Sequence, residues 1–144
     1  MSERRALEFN YVQKLNDEFK GSNYDVVESN TYEERKIPCI VIVVGDSKPM
    51  IDHPDAQDNF DSDLDIIVMS SSDEKEPTEH MNVCDRVRAV VLDREKRKLT
   101  NVKSLYIYNV HYQGVVDTRQ ERRMATQMKF QIHYHYNTNP SVSQ

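Results

Sequence analysis

The chain has 144 residues, of which 38% are hydrophobic and 30% are charged, so it has the size of one globular domain with a strongly charged surface. Three glycines and a formal net charge of −5 argue against a glycine-rich phosphate loop and against sequence-independent binding to nucleic acid. The sequence contains no run of about 18 apolar residues, so we predict no membrane-spanning helix. The two cysteines, Cys39 and Cys84, are too few for a disulfide framework and are expected to be buried thiols.

The first predicted element is an amphipathic helix over residues 3–20. Its apolar residues recur at helical spacing and form one stripe. Ser2 is a suitable N-cap, and Gly21 is suited to the left-handed conformation that ends many helices. A short strand is predicted next, over residues 24–29.

The middle of the chain predicts two further strands separated by a loop. Residues 40–44 are apolar and mostly β-branched without alternation, which is typical of a strand covered on both faces, and we place this strand at 37–44. The polar segment 45–63, with Pro49 and Pro54, is predicted to be a long loop. The next strand is predicted at 64–69.

The last third of the chain predicts a helix and a long hairpin. The helix covers roughly 78–92, and the basic segment 94–104 connects it to a strand at 105–115. The polar segment 117–123 is predicted to be the hairpin tip. The returning strand at 124–136 alternates strictly from Met128 to Tyr136, which is the clearest strand signal in the chain. Six aromatic residues of this hairpin are predicted to face the core: Tyr106, Tyr108, Tyr112, Phe130, Tyr134 and Tyr136.

Together these elements predict the order α-β-β-β-α-β-β. We expect an α+β fold with a mostly antiparallel sheet of about five strands and two helices packed on one face. Residues 1–137 are expected to form a single domain, and residues 138–144 a flexible C-terminal tail.

Two groups of residues suggest chemistry. The string from Asp61 to Val68 resembles the strand on which nucleotidyltransferases hold divalent cations, and Asp63 and Asp65 would point to one side of that strand. The third carboxylate of that family has no counterpart among residues 105–112. His133 and His135 have the spacing of some zinc ligands, with His111 on the neighbouring strand, but no further ligand completes a site.

Charge is unevenly distributed along the chain. Residues 52–65 contain six aspartates and no lysine or arginine, whereas 94–103 and 119–123 are basic. Such polarity suits head-to-tail contacts between identical subunits. The candidate interface residues are Asp58, Asp61, Asp63, Arg119, Arg122 and Arg123.

The order of elements over about residues 5–137 resembles the tail-terminator (tail-completion, minor tail) proteins of long-tailed bacteriophages. The resemblance is carried by the first helix, the strand introduced by Ile37 and Pro38, the strand 64–69, the second helix, and a final hairpin whose closing strand alternates through 129–134. It implies a structural virion protein without catalytic, cofactor or metal sites. The protein would assemble in the host cytoplasm into a ring, commonly a hexamer.

The resemblance also implies the partners. The ring would cap the tail tube, stop its polymerisation and join it to the head–neck connector proteins. No membrane and no specific nucleic acid would be bound. A divalent-metal-dependent nucleotidyltransferase using Asp63 and Asp65 is the alternative.

Overall fold

The helices and strands follow the predicted order, with one addition. The computed structural model describes residues 1–28, 37–50, 59–71, 77–120 and 123–137. The elements are α1 (Glu3–Glu18), β1 (Asp25–Glu28), β2 (Cys39–Pro49), β3 (Asn59–Ser71), α2 (Pro77–Leu92), α3 (Arg94–Lys98), β4 (Leu105–Gln120) and β5 (Arg123–Tyr136). The short helix α3, capped by the Asp93 side chain, lies where a connection was predicted. None of the described helices is long and apolar enough to cross a membrane.

The five strands form one sheet in the order β1-β2-β3-β5-β4. The β1–β2 pair is parallel, and the other three pairs are antiparallel. The α+β class and the mostly antiparallel sheet are therefore confirmed. Within the described residues, the short β1 and the long β4 are the edges of the sheet.

One face of the sheet, here called the helix-covered face, forms the core with α1 and α2. The predicted stripe of α1 supplies Leu7, Tyr11 and Leu15, each no more than 1% exposed, and Ser2 caps the helix by accepting the Arg5 N–H. Alternating residues of the three central strands meet them, because every second side chain of a strand points to the same face. These strand residues are Ile40, Ile42, Leu64, Ile66, Phe130, Ile132 and Tyr134.

The opposite face, here called the open face, is apolar at one end and polar at the other. On β2, Cys39 and Val41 point to the open face yet are 1% and 0% exposed, so this strand is buried on both sides as predicted. Neither cysteine forms a disulfide. Cys39 is buried as predicted, whereas Cys84 is only partly buried. The polar end is built from β3 and β5, with Asp61, Asp63 and His133.

The prediction of a loop at 45–63 is wrong at both ends. Strand β2 continues to Pro49 and β3 begins at Asn59, with an irregularity in the ladder between Val44 and Ser47. The polar residues at the two ends of this segment lie in strands. Their side chains point either to the open face or into the core. Tyr134 is 0% exposed, and its hydroxyl is satisfied by Ser47 and Ser62 at 3.1 and 3.0 Å. Residues 51–58 lie outside the described residues.

The hairpin differs from the prediction in its length and in the direction of two tyrosines. Strand β4 extends to Gln120 and β5 begins at Arg123, so most of the predicted tip 117–123 is strand. A bulge between Ile107 and Asn109 shifts the alternation of β4. Ile107 therefore faces the core, whereas Tyr106 and Tyr108 are 61% and 58% exposed. The predicted tail 138–144 lies outside the described residues.

Candidate subunit interface

Three aspartates of β3 line the polar end of the open face. Asp61, Asp63 and Asp65 point to this face because they are two residues apart on one strand. Gln131 donates to Asp61 at 2.8 Å, and Gln127 donates to Asp65 at 3.0 Å. The Asp63 side chain is exposed and forms no hydrogen bond or ion pair with the described residues. Asp63 is therefore available for contact, whereas Asp61 is half-buried and already has a partner in Gln131. The predicted Asp58 lies outside the described residues.

The surroundings of Asp63 and Asp65 differ from those of a two-carboxylate metal centre. The two side chains share a face, as a nucleotidyltransferase would require, but Lys129 stands opposite Asp65 in the ladder. The acid of β4, Asp117, points to the helix-covered face because it pairs with Thr126. Across the described residues, no three His, Cys, Asp or Glu side chains are grouped so that they could hold a metal ion.

The predicted histidine pair lies on the open face, with His111 beside it. The rings of His111 and His133 are 5.4 Å apart, and His133 Nε2 lies 3.7 Å from an Asp61 carboxylate oxygen. His135 contacts Asn59 through Nδ1 at 3.0 Å. These histidines are thus engaged with neighbouring polar and aromatic side chains.

An exposed aromatic cluster occupies the same end of the sheet. The rings of Tyr106 and Tyr108 lie 6.1 and 6.5 Å from the ring of His135, so both tyrosines are on the open face. The sequence pattern placed them in the core, and only the bulge in β4 reveals their direction. Tyr106, Tyr108 and His135 are here called the tyrosine end.

The predicted arginines lie at the other end of the sheet, here called the arginine end. Arg119 and Arg123 are exposed and form no ion pair within the residues that the structure describes; Arg122 lies outside them. Arg123 pairs with Ser71, which is ten residues from Asp61 along β3. At about 3.3 Å per residue, roughly 33 Å separates the acidic and basic groups. These residues were predicted to form acidic and basic contact groups, and the structure places the two groups too far apart to contact each other within one chain.

A pocket of about 350 Å³ opens at the arginine end between α2 and the β4–β5 hairpin. Its walls are largely apolar. They include Met81, Val115, Met124 and Met128. Arg88 lies 5.1 Å from the Tyr112 ring on one side, and Arg119 lies on another. The sequence contains no local signal for this pocket, because its residues come from three separate elements.

A hydrogen-bonded chain of side chains lies beside the pocket. Thr126 donates to Asp117 at 2.7 Å and must therefore accept from His80 Nε2 at 2.8 Å. His80 Nδ1 then accepts from the Ser70 hydroxyl at 2.6 Å. Every polar atom of the His80 ring is satisfied although the residue is 6% exposed.

Burial determines the protonation of this region. It lowers the pKa of His80, an effect that the Asp117 carboxylate opposes. It also raises the pKa of the Cys84 thiol to about 11, so this cysteine, four residues from His80 on α2, is not a thiolate nucleophile at neutral pH. Burial therefore favours the uncharged forms of the His80 ring and the Cys84 thiol beside the pocket.

Comparison with known proteins does not extend this picture. No protein-family model matches the chain, and no curated protein matches its sequence. Function is therefore inferred from the surfaces of the chain itself. Those surfaces are an exposed acidic and aromatic end, and an arginine end with an apolar pocket.

Proposed function

We propose that this chain is a structural subunit of a phage virion, similar to the tail terminators that form a ring at the end of the tail tube. The ring would stop polymerisation of the tube and provide the surface that the head–neck connector proteins bind. The tail tube protein would contact its other surface. The function would depend on complementary surfaces, with no bond chemistry.

The observation that supports assembly is the exposed edge strand β4. It is 16 residues long and pairs with β5 on one side, while no described strand pairs with its other side. Among the described residues, four of the eight exposed large hydrophobic side chains lie on it: Tyr106, Tyr108, Val115 and Val116. A long edge strand with exposed apolar groups invites association, and soluble monomers usually protect such edges.

The separation of the charged groups favours a ring over a symmetric dimer. Asp61 and Asp63 lie at one end of the sheet and Arg119 and Arg123 at the other. A contact between unlike ends is heterologous, and repetition of a heterologous contact closes a ring when the rotation permits. A two-fold dimer would instead place like charges together if it used either end alone.

Light scattering coupled to size exclusion, with electron microscopy of the main peak, tests the proposal. We expect a closed ring of about six copies, the number that the resemblance to tail terminators implies. Val116→Lys should weaken the ring because it places a charge on the β4 edge. Leu99 lies outside the sheet and is 73% exposed, so Leu99→Lys should not weaken the ring.

Two results would contradict the proposal. One is a monomer at every concentration that the protein tolerates. The other is an Mg²⁺-dependent nucleotide transfer that Asp63→Ala abolishes while the fold is retained, which would favour the nucleotidyltransferase alternative.

A further inference from the structure

The tyrosine end presents two large side chains that its own chain leaves in solvent. Tyr106 and Tyr108 are 61% and 58% exposed, and each ring is held against His135 on one side. Tyrosine is enriched at interface hot spots because its ring is apolar and its hydroxyl is polar. Contact with His135 restricts both rings before any partner arrives, which lowers the entropic cost of docking.

The pocket at the arginine end suits an aromatic side chain. Its volume of about 350 Å³ lies near the lower limit of ligand pockets, roughly 300 Å³. Met81, Met124 and Met128 contribute to the wall. Methionine adapts its shape to a neighbour, and its sulfur makes favourable contacts with aromatic rings.

The polar groups around the pocket favour a neutral guest with a hydroxyl. Two arginines, Arg88 and Arg119, are balanced by Asp85 and Asp117 among the lining residues. The Asp117 carboxylate receives one hydrogen bond from Thr126 and has acceptor capacity left for a phenol O–H. A tyrosine satisfies both the apolar wall and this acceptor.

A chain cannot place its own tyrosines in its own pocket. Tyr108 and Val115 belong to the same strand, seven residues and therefore about 23 Å apart. They also point to opposite faces of the sheet, because Val115 pairs with the core residue Met128 while Tyr108 contacts His135. Any tyrosine end that enters the pocket comes from another copy.

Charge complementarity favours the same partner. Asp61 and Asp63 stand on the open face at the tyrosine end, and Arg119 and Arg123 stand at the end with the pocket. Insertion of the tyrosines would bring the acidic and arginine groups of two copies near each other. Such complementary charges orient the docking of two surfaces.

We propose that neighbouring copies join by inserting Tyr106 and Tyr108 of one copy into the pocket between α2 and the β4–β5 hairpin of the next. This inference rests on the proposed ring and identifies the contact that builds it. Each copy then provides one tyrosine end and one pocket, as a heterologous interface requires.

Mixing two variants tests the contact. Tyr106→Ser with Tyr108→Ser removes the inserted side chains and leaves the pocket intact. Met81→Glu with Val115→Glu blocks the pocket at side chains 62% and 49% exposed, so the fold should tolerate both changes. We expect each variant alone to be monomeric by light scattering, and their mixture to form one-to-one dimers that grow no further, because only one functional contact is available.

The controls separate this inference from the proposed function. Leu99→Ser removes an apolar side chain that is 73% exposed elsewhere and should assemble like the unmodified chain. Circular dichroism confirms that each variant is folded. If the unmodified chain forms rings and either double variant still does, or if the mixture stays monomeric, the tyrosine–pocket contact is wrong and the ring proposal stands. If the unmodified chain is a monomer, both are wrong.

Discussion

His80 joins three elements of the fold through its two ring nitrogens. It lies on α2, contacts Ser70 of β3 at 2.6 Å, and contacts Thr126 of β5 at 2.8 Å. Removal of the imidazole would leave two buried hydroxyl groups without this partner. An unsatisfied buried polar group costs roughly 1–3 kcal/mol, so this network contributes to stability as well as to the shape of the pocket.

The lowered pKa of His80 predicts how that contribution changes with pH. The unfolded chain binds a proton at His80 more readily than the folded chain, since burial disfavours the imidazolium. Stability from the neutral ring is therefore fully present above the ordinary histidine pKa, about 6.5, and is lost as the pH falls below it. We expect His80→Ala to lower the free energy of unfolding by about 2 kcal/mol at pH 7.5 and by less at pH 5.

Urea denaturation at the two pH values measures this effect. Val87→Ala is the matched control, because Val87 is also buried on α2, at 0% exposure, and carries no titrating group. Its destabilisation should be the same at both pH values. If the loss of free energy of unfolding depended equally on pH in the two variants, His80 would not be the source of the pH dependence.

At the scale of elements, Arg86 connects α2 to the C-terminal end of α1. Its guanidinium donates to the Glu18 carbonyl oxygen at 2.8 Å and to the Glu18 carboxylate at 3.3 Å, and it lies 4.4 Å from the Phe19 ring centroid. The last carbonyl groups of a helix have no partner within the helix, so this contact satisfies one of them. Arg86 thus helps to fix the angle between the two helices.

We predict that Arg86→Ala destabilises the fold by about 1 kcal/mol, a small value because its side chain is 48% exposed and solvent screens the ion pair. Arg86→Lys should recover only part of the loss, since an ammonium group cannot match the planar contacts. Arg94→Ala, an exposed arginine of α3, serves as the control and should be neutral. Chemical denaturation would contradict the prediction if the two alanine variants were equally stable.

The two long strands show why the sequence predicted one element better than the other. β5 alternates without interruption, so its buried Phe130, Ile132 and Tyr134 could be identified directly. β4 contains two shifts of register, between Ile107 and Asn109 and between Tyr112 and Gly114. Each shift changes the face to which the following residues point, and hydrophobicity alone does not reveal it.

At the scale of the whole molecule, part of the candidate interface could be predicted and part could not. The opposite charges of Asp61, Asp63, Arg119 and Arg123 are evident in the sequence, and the register of the sheet then separates them. The pocket depends on packing between α2 and a hairpin some 30 residues away, and no local pattern encodes that proximity. Composition therefore indicates the opposite charges, while topology determines where on the molecule they lie.

The separation of charges leads to a prediction for the assembled ring. Asp63 is exposed at the tyrosine end and Arg119 is exposed at the pocket. Asp63→Arg alone should weaken assembly because it faces arginines of the next copy, and Arg119→Asp alone should weaken it because it faces aspartates. A chain that carries both changes presents the reversed pair at every contact, so its assembly should recover towards that of the unmodified chain. Light scattering over a dilution series measures the recovery, with Lys20→Asp in place of Arg119→Asp as the control partner that should not rescue. If the double variant assembles no better than the weaker single variant, these two ends do not meet.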